Sequence, residues 1–223
     1  MRISKSWIAL AGETFHIQCA FSAPRVGFNE NILQQIALNH WYSRDHILDS
    51  DLPAEHQLWL AHVGSMTRLM RQHAQSQFEL TVVREQVGMA TSRECELLNI
   101  TTADVYAREI VMLVDGAPWL YARSVFPTQV TELADKSLLE LGNQPLGRLF
   151  FHSESDISGE TNPRSSIEIG YLPKEHELLQ GEMFPVSVEQ PLYARRSTFS
   201  YQDLPALVQE VFLPAHPLYQ ATS

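Results

Sequence analysis

The dipeptide Asp115-Gly116 is the feature that most constrains how this chain folds. Residues 105–114 before it and residues 118–126 after it are rich in β-branched and aromatic side chains. An Asp-Gly turn between two such runs favours a β-hairpin, because both turn positions adopt positive φ angles. The sequence therefore predicts an antiparallel sheet that contains this hairpin.

Two arginines lie within the predicted hairpin. If the strands pair without interruption from the turn, Arg108 lies directly opposite Arg123, on a face that is otherwise apolar and aromatic. Like charges in this position destabilise a sheet, so we expect a bound carboxylate or phosphate to separate them. In this interpretation neither arginine stabilises the empty protein. The alternative is that each guanidinium reaches solvent or pairs with a carboxylate of the protein.

The remaining segments indicate a protein of the α+β class. Apolar residues at helical spacing between Leu58 and Gln75 predict two helices that join at Gly64, the second capped by Ser65. We expect another helix over residues 132–141 and a strand over residues 184–188. Residues 51–223 are predicted to form one domain, and residues 1–50 an N-terminal extension that is helical in part between residues 29 and 48.

Composition excludes several classes of function. The net charge of −10 argues against nucleic-acid binding, which depends on a basic surface. No phosphate-binding glycine loop, zinc-ligand spacing or nucleophile elbow is present. The two cysteines form no pairing pattern, and no apolar stretch approaches the ~20 residues that span a membrane. We therefore expect a cytoplasmic protein without stable membrane insertion.

Glu210 is an acidic residue in the otherwise apolar strand predicted over residues 207–212. It either faces solvent or is half-buried, and a half-buried glutamate can act as a proton donor. Arg195 and Arg196 form a basic doublet, which is more typical of a surface than of a functional site.

A series of short motifs resembles the chorismate pyruvate-lyase family. It runs in the family's order from about residue 52 to residue 219. It comprises Leu58-Trp59-Leu60, Ser65-Met66-Thr67, Arg108-Glu109-Ile110, Asp115-Gly116-x-Pro118-Trp119-Leu120, Ala122-Arg123, Gly142-x-x-Pro145-Leu146-Gly147-Arg148, Ile167-Glu168-Ile169-Gly170, Arg195-Arg196-Ser197 and Glu210-x-Phe212-Leu213-Pro214-Ala215-x-Pro217-Leu218-Tyr219. Each motif alone is weak, but their order in one chain is specific.

The resemblance implies a single domain with a six-stranded antiparallel sheet covered by helices. It also implies a monomeric enzyme that needs no cofactor and converts chorismate into 4-hydroxybenzoate and pyruvate, the first step towards ubiquinone. The substrate-binding positions of the family correspond here to Met66, Arg108, Arg123, Leu146 and Glu210. Among them, Arg108, Arg123 and Glu210 are the expected catalytic residues.

Two segments depart from the family pattern, and two other functions remain open. The first 50 residues have no counterpart in a short family member, and the segment between Gly170 and Arg195 is longer than expected. The same fold is expected in effector-binding domains of GntR-type regulators, so a non-catalytic module that binds a small molecule is one alternative. The other is a lyase that has lost activity and carries 4-hydroxybenzoate.

Overall fold

The computed structural model of the chain describes residues 39–158, 163–180 and 184–219. The part of the predicted N-terminal helix before residue 39 lies outside these residues. The α-helices within the described residues are five, and all of them are short. They are α1 (Arg44–Leu48), α2 (Ala54–Leu60), α3 (Met66–His73), α4 (Ser92–Leu98) and α5 (Glu154–Ser158). Each helix that the structure describes is too short or too polar to cross a lipid bilayer.

One antiparallel sheet organises the fold. Its strands are β1 (Trp41–Ser43), β2 (Phe78–Met89), β3 (Asp104–Val114), β4 (Ala117–Pro127), β5 (Ser166–Leu172), β6 (Leu192–Tyr201) and β7 (Leu204–Phe212). They lie in the order β1-β5-β6-β7-β4-β3-β2. The α+β class is confirmed, but the expectation of six strands is wrong because the described sheet has seven. The edge strand β1 pairs with β5 and comes from the segment assigned to the N-terminal extension.

The sheet has two faces, which we name after the arginines that they carry. The Arg108 face also carries Ile110, Ala122 and Glu210, and it is covered by α2, α3 and the segment 138–151. The Arg123 face also carries Glu109 and Gln209, and α4 packs on it through Leu98. Both faces are buried, which explains why the central strands read as almost continuous apolar runs.

Local signals account for the elements nearest the site. Asp115 and Gly116 adopt φ angles of 51° and 82°, as a tight hairpin turn requires. The Asp115 carboxylate accepts hydrogen bonds from the backbone N–H groups of Gln75, Ser76 and Gln77. Ser65 caps α3 by accepting a hydrogen bond from the Arg68 N–H, so the predicted start of this helix is confirmed.

Two other predicted elements are wrong. Residues 132–141 form turns, because the Asp135 carboxylate binds the N–H and the hydroxyl of Ser137 and offers the backbone an alternative to a helix. Residues 184–188 form no strand. Both edges of β6 are already paired, with β5 and β7, and Phe184 instead packs against the Tyr121 ring with the centroids 5.0 Å apart.

Candidate active site

A β-bulge in β4 separates the two arginines that were predicted to be neighbours. Val114 pairs with Ala117 and Leu113 with Pro118, as an uninterrupted hairpin requires, but Met112 pairs with Leu120. Trp119 is therefore an extra residue in β4, and every later pair is shifted by one position. Such a shift moves side chains to the other face of the sheet.

After the bulge, Arg108 lies opposite Ser124, and Arg123 lies opposite Glu109. The predicted juxtaposition of Arg108 and Arg123 is therefore wrong. The surroundings of the bulge explain its position. Pro118 has no N–H to give to the ladder, and the Trp119 ring packs against Trp59 on α2, with the centroids 6.0 Å apart.

Arg108 is a buried cation whose side chain is 1% exposed. Its Nη1 donates to Glu85 Oε2 at 2.7 Å, and its Nη2 donates to the carbonyl oxygens of Gly142 and Gln144 at 2.6 and 3.1 Å. Its Nε has no hydrogen-bond partner among the described residues. Arg108 therefore ties β3 to the segment that leads to Leu146 and keeps one buried donor available.

Glu85 reaches Arg108 because β2 also contains an irregularity. The register shifts between Val82 and Arg84, so that Glu85 lies opposite Arg108. Glu85 Oε1 accepts a hydrogen bond of 2.5 Å from the Tyr106 hydroxyl. Burial and this hydrogen bond raise the pKa of Tyr106 above its usual value.

Glu210 is buried and paired with an arginine that the sequence reading placed on the surface. The strand register sets Glu210 directly opposite Arg195, whose Nε donates to Glu210 Oε2 at 2.5 Å. The Arg195 side chain is 0% exposed, so its assignment to a surface doublet is wrong. Its Nη2 has no hydrogen-bond partner among the described residues.

A cavity of about 50 Å³ lies between the Arg108 face and the elements that cover it. Its lining includes Met66 from α3, Leu146, Arg164 and Glu210, together with Ser124, the cross-strand neighbour of Arg108. Four of the five predicted site residues thus gather at or beside this cavity, and Arg123 does not.

Arg164 lines the cavity but was missed from the sequence. Its guanidinium carbon lies 5.0 Å from the centroid of the Phe151 ring, and it donates to the carbonyl oxygens of Val63 and Gly64. Burial, together with the charge of Arg195, lowers the pKa of Arg164 to about 9. The signal available in the sequence was an arginine two residues before β5, in which the apolar residues Ile167 and Ile169 alternate with polar ones.

Arg123 belongs to a network of buried charges on the opposite face. Its Nε donates to Glu94 Oε1 at 2.8 Å, and its Nη1 donates to Glu109 Oε1 at 2.7 Å. Its Nη2 donates to Glu94 Oε2 and to the carbonyl oxygen of Met89. Burial alone would lower the pKa of Arg123, but the hydrogen bonds and charges of Glu94 and Glu109 raise it above its usual value.

A larger cavity, of about 530 Å³, borders the Arg123 network. Volume alone would favour it as the ligand site. However, every side-chain nitrogen of Arg123 already donates to the protein, whereas Arg108 and Arg195 each retain a buried donor. We therefore place the candidate site at the smaller cavity. Within residues 39–158, 163–180 and 184–219, no three His, Cys, Asp or Glu side chains converge as metal ligands.

Comparisons with known proteins identify close relatives. The family model for chorismate lyase matches residues 36–223. A chorismate pyruvate-lyase from Serratia proteamaculans is 34% identical over 188 residues, which cover 82% of this chain and 90% of the relative. One from Yersinia enterocolitica is 34% identical over 174 residues, which cover 76% of this chain and 87% of the relative.

Among solved structures, the effector domain of PhnF from Mycobacterium smegmatis resembles the chain with a TM-score of 0.45 and 14% identity. The match covers 72% of this chain and 93% of that domain. A likeness at this level does not bear on function.

Proposed function

Because the chain belongs to the chorismate lyase family, we propose that it is a chorismate pyruvate-lyase, which releases pyruvate from chorismate and leaves 4-hydroxybenzoate. The observation that carries the proposal is that Arg108 and Glu210 lie on the same buried face of the sheet, next to a cavity lined by Met66 and Leu146. A basic group and an acidic group beside apolar side chains suit a ligand with a carboxylate, a hydroxyl and a ring.

The substrate supplies the driving force for the reaction. The ring carbon that bears the hydroxyl loses its hydrogen as a proton, the neighbouring ether C–O bond breaks, and its electron pair leaves with the enolpyruvate. The enolpyruvate then takes up one proton on its methylene carbon and becomes pyruvate. The ring becomes aromatic, so we propose that no cofactor takes part. The protein must then hold the substrate in the geometry for elimination and stabilise the charge that develops on the leaving group.

We assign the binding roles from the donors and acceptors of the site. Arg108 binds a carboxylate through its available Nε, because a guanidinium forms strong charge-assisted hydrogen bonds with carboxylates. Glu210 forms an ion pair with Arg195, so we propose that it accepts a hydrogen bond from the ring hydroxyl. Met66 and Leu146 pack against the ring and exclude water. The position of Arg123 supports a role in holding the sheet rather than the substrate.

Substrate binding must enlarge the cavity, because sites for small molecules commonly occupy ~300–1,000 Å³ and this one measures about 50 Å³. Ladder hydrogen bonds fix the wall formed by β3, β4 and β7. The opposite wall includes residues 146–151, which follow the carbonyl groups that Arg108 binds. We infer that this second wall moves when the substrate enters.

Turnover of chorismate tests the proposal. Purified protein, dialysed against a chelator, should form 4-hydroxybenzoate and pyruvate in equal amounts at an undiminished rate. Formation of prephenate, or a requirement for added metal, contradicts the proposal. Tight binding of 4-hydroxybenzoate without turnover supports a carrier instead. We further propose that the protein acts as a cytoplasmic monomer, at the step that supplies 4-hydroxybenzoate for ubiquinone.

A further inference from the structure

Arg195 contacts the candidate site through Glu210. Strands β6 and β7 set the two residues directly opposite each other, and the Nε–Oε2 distance is 2.5 Å. The Arg195 side chain is 0% exposed, and that of Glu210 is 8% exposed. A buried charge is costly unless it is paired and hydrogen-bonded, so each side chain restricts where the other can lie.

The other end of the same guanidinium binds the joint between α2 and α3. Arg195 Nη1 donates to the carbonyl oxygen of His62 at 2.7 Å and lies 3.5 Å from that of Trp59. Three residues after His62, Ser65 caps α3, and the first residue of α3 is Met66, which lines the cavity. One side chain therefore connects the acidic group of the site with an apolar wall of the site.

We propose that Arg195 is a positioning residue for the lyase reaction, which holds Glu210 and the joint that carries Met66 in one fixed arrangement. The inference rests on the proposed function of the site. The guanidinium suits this role because its donors point in fixed directions in one plane, so that contacts with Glu210 and with the backbone constrain each other. Displacement of a catalytic group by about 1 Å can lower a rate by ~10²-fold.

The adjacent residue Arg196 provides a matched control. Its side chain is 4% exposed, and its Nε donates to Glu168 Oε2 at 2.6 Å. Its guanidinium also lies over the Trp41 ring, 4.1 Å from the centroid. Neighbouring residues of a strand point to opposite faces, so Arg196 is a buried, paired arginine remote from Glu210.

The test is a double-mutant cycle with Arg195→Gln and Glu210→Gln, in which kcat and KM for chorismate are measured. We expect Glu210→Gln to lower kcat by ~10²-fold, because it removes a charge-assisted hydrogen bond to the ring hydroxyl, and Arg195→Gln to lower it by ~10²-fold. Arg195→Gln should lower kcat less in the Glu210→Gln background than in the wild type, because its effect through residue 210 is already lost and only its effect through the Met66 joint remains. Arg196→Gln should retain kcat within about threefold of wild type, even if its melting temperature falls as far as that of Arg195→Gln.

Several outcomes overturn the proposal. One is that Arg195→Gln lowers kcat by the same factor whether residue 210 is Glu or Gln. Another is that Arg196→Gln lowers kcat as much as Arg195→Gln does. If Arg195→Gln does not fold, Arg195→Lys takes its place in the cycle. Lysine keeps the positive charge but lacks the planar set of donors of the guanidinium group, so we expect kcat to fall by about tenfold or more. An unchanged kcat overturns the proposal.

Failure of the proposed function has a separate signature. If the wild-type protein does not turn over chorismate, the lyase assignment is wrong. The same four proteins of the cycle are then compared for 4-hydroxybenzoate binding by calorimetry. Non-additive losses of affinity support the positioning role of Arg195, and additive losses, or no binding by the wild type, overturn it.

Discussion

Replacement of Arg123 by methionine should destabilise the protein strongly without removing a substrate contact. In the folded protein the Arg123 side chain is 13% exposed, and it pairs with Glu94 and Glu109, which are 3% and 5% exposed. Arg123→Met leaves both carboxylates buried without their cation. Breaking a buried ion pair costs ~3–5 kcal/mol, most of which is the penalty of the charge that remains.

For a domain of this length, that loss corresponds to a fall in melting temperature of about 6–20 °C. Thermal unfolding followed by circular dichroism measures it. The exposed pair Arg93–Glu96 provides the control, because Arg93 is 54% exposed and such pairs contribute ~0–1 kcal/mol. Arg93→Met should therefore melt close to wild type. Addition of Glu94→Gln and Glu109→Gln to Arg123→Met should recover part of the loss, because no uncompensated charge remains.

Binding of 4-hydroxybenzoate tests whether Arg123 holds the sheet, as the bulged register indicates, or contacts the ligand, as an uninterrupted hairpin would predict. At a temperature well below its melting point, Arg123→Met should bind 4-hydroxybenzoate about as tightly as wild type does. If Arg123→Met instead loses less than about 1 kcal/mol of stability and loses ligand affinity, Arg123 contacts the ligand and does not hold the sheet.

Two further predictions concern the dependence of stability on pH. Burial, together with the charges of His73 and His56, holds the pKa of His216 well below its usual value. As the pH falls, the unfolded chain therefore takes up a proton before the folded protein does, and stability should fall below about pH 6.5. His216→Phe stays neutral, so its urea midpoint should fall less between pH 7 and pH 5 than that of the wild type. Hydrogen bonds from the backbone of Gln75, Gln77 and Ser76 hold the pKa of Asp115 below its usual value, so its contribution is present above about pH 4 and lost as the pH falls further. Asp115→Asn should lower the melting temperature at pH 7. Below pH 4 its melting temperature should also decrease less steeply with falling pH than that of the wild type, and an equal decrease in both proteins would contradict this role.

The sequence predicted the elements around the site better than it predicted which residues share a face. The Asp115-Gly116 turn and the Ser65 cap are local signals, carried by one or two residues, and both are confirmed. The assignment of Arg123 to the same face as Arg108 depended on counting residues along β4, where a single bulge reverses every later position. A bulge leaves the apolar pattern of a strand that is buried on both faces nearly unchanged, so hydrophobic periodicity could not reveal it.

Charge pairing was the signal that could have corrected the register. With the bulge, Glu109 lies opposite Arg123, whereas uninterrupted pairing sets Arg108 opposite Arg123. Opposite charges stabilise cross-strand positions and like charges do not, so the interrupted register is the favourable one. Arg195 and Arg196 carry a similar signal, because consecutive residues of a strand cannot both face solvent when either face is buried. Each finds a glutamate on a neighbouring strand, Glu210 and Glu168 respectively.

The difference between the two faces lies in how completely their arginines are hydrogen-bonded. On the Arg123 face, Nε, Nη1 and Nη2 of Arg123 all donate to Glu94, Glu109 or the backbone. On the Arg108 face, Arg108 Nε and Arg195 Nη2 find no acceptor within the described part of the chain. A buried donor without a partner destabilises the folded state by ~1–3 kcal/mol, and a bound anion with several acceptor oxygens removes that penalty. Arg108 and Arg195 therefore favour the binding of an anion on their own face, and the cavity between Met66, Leu146 and Glu210 lies there.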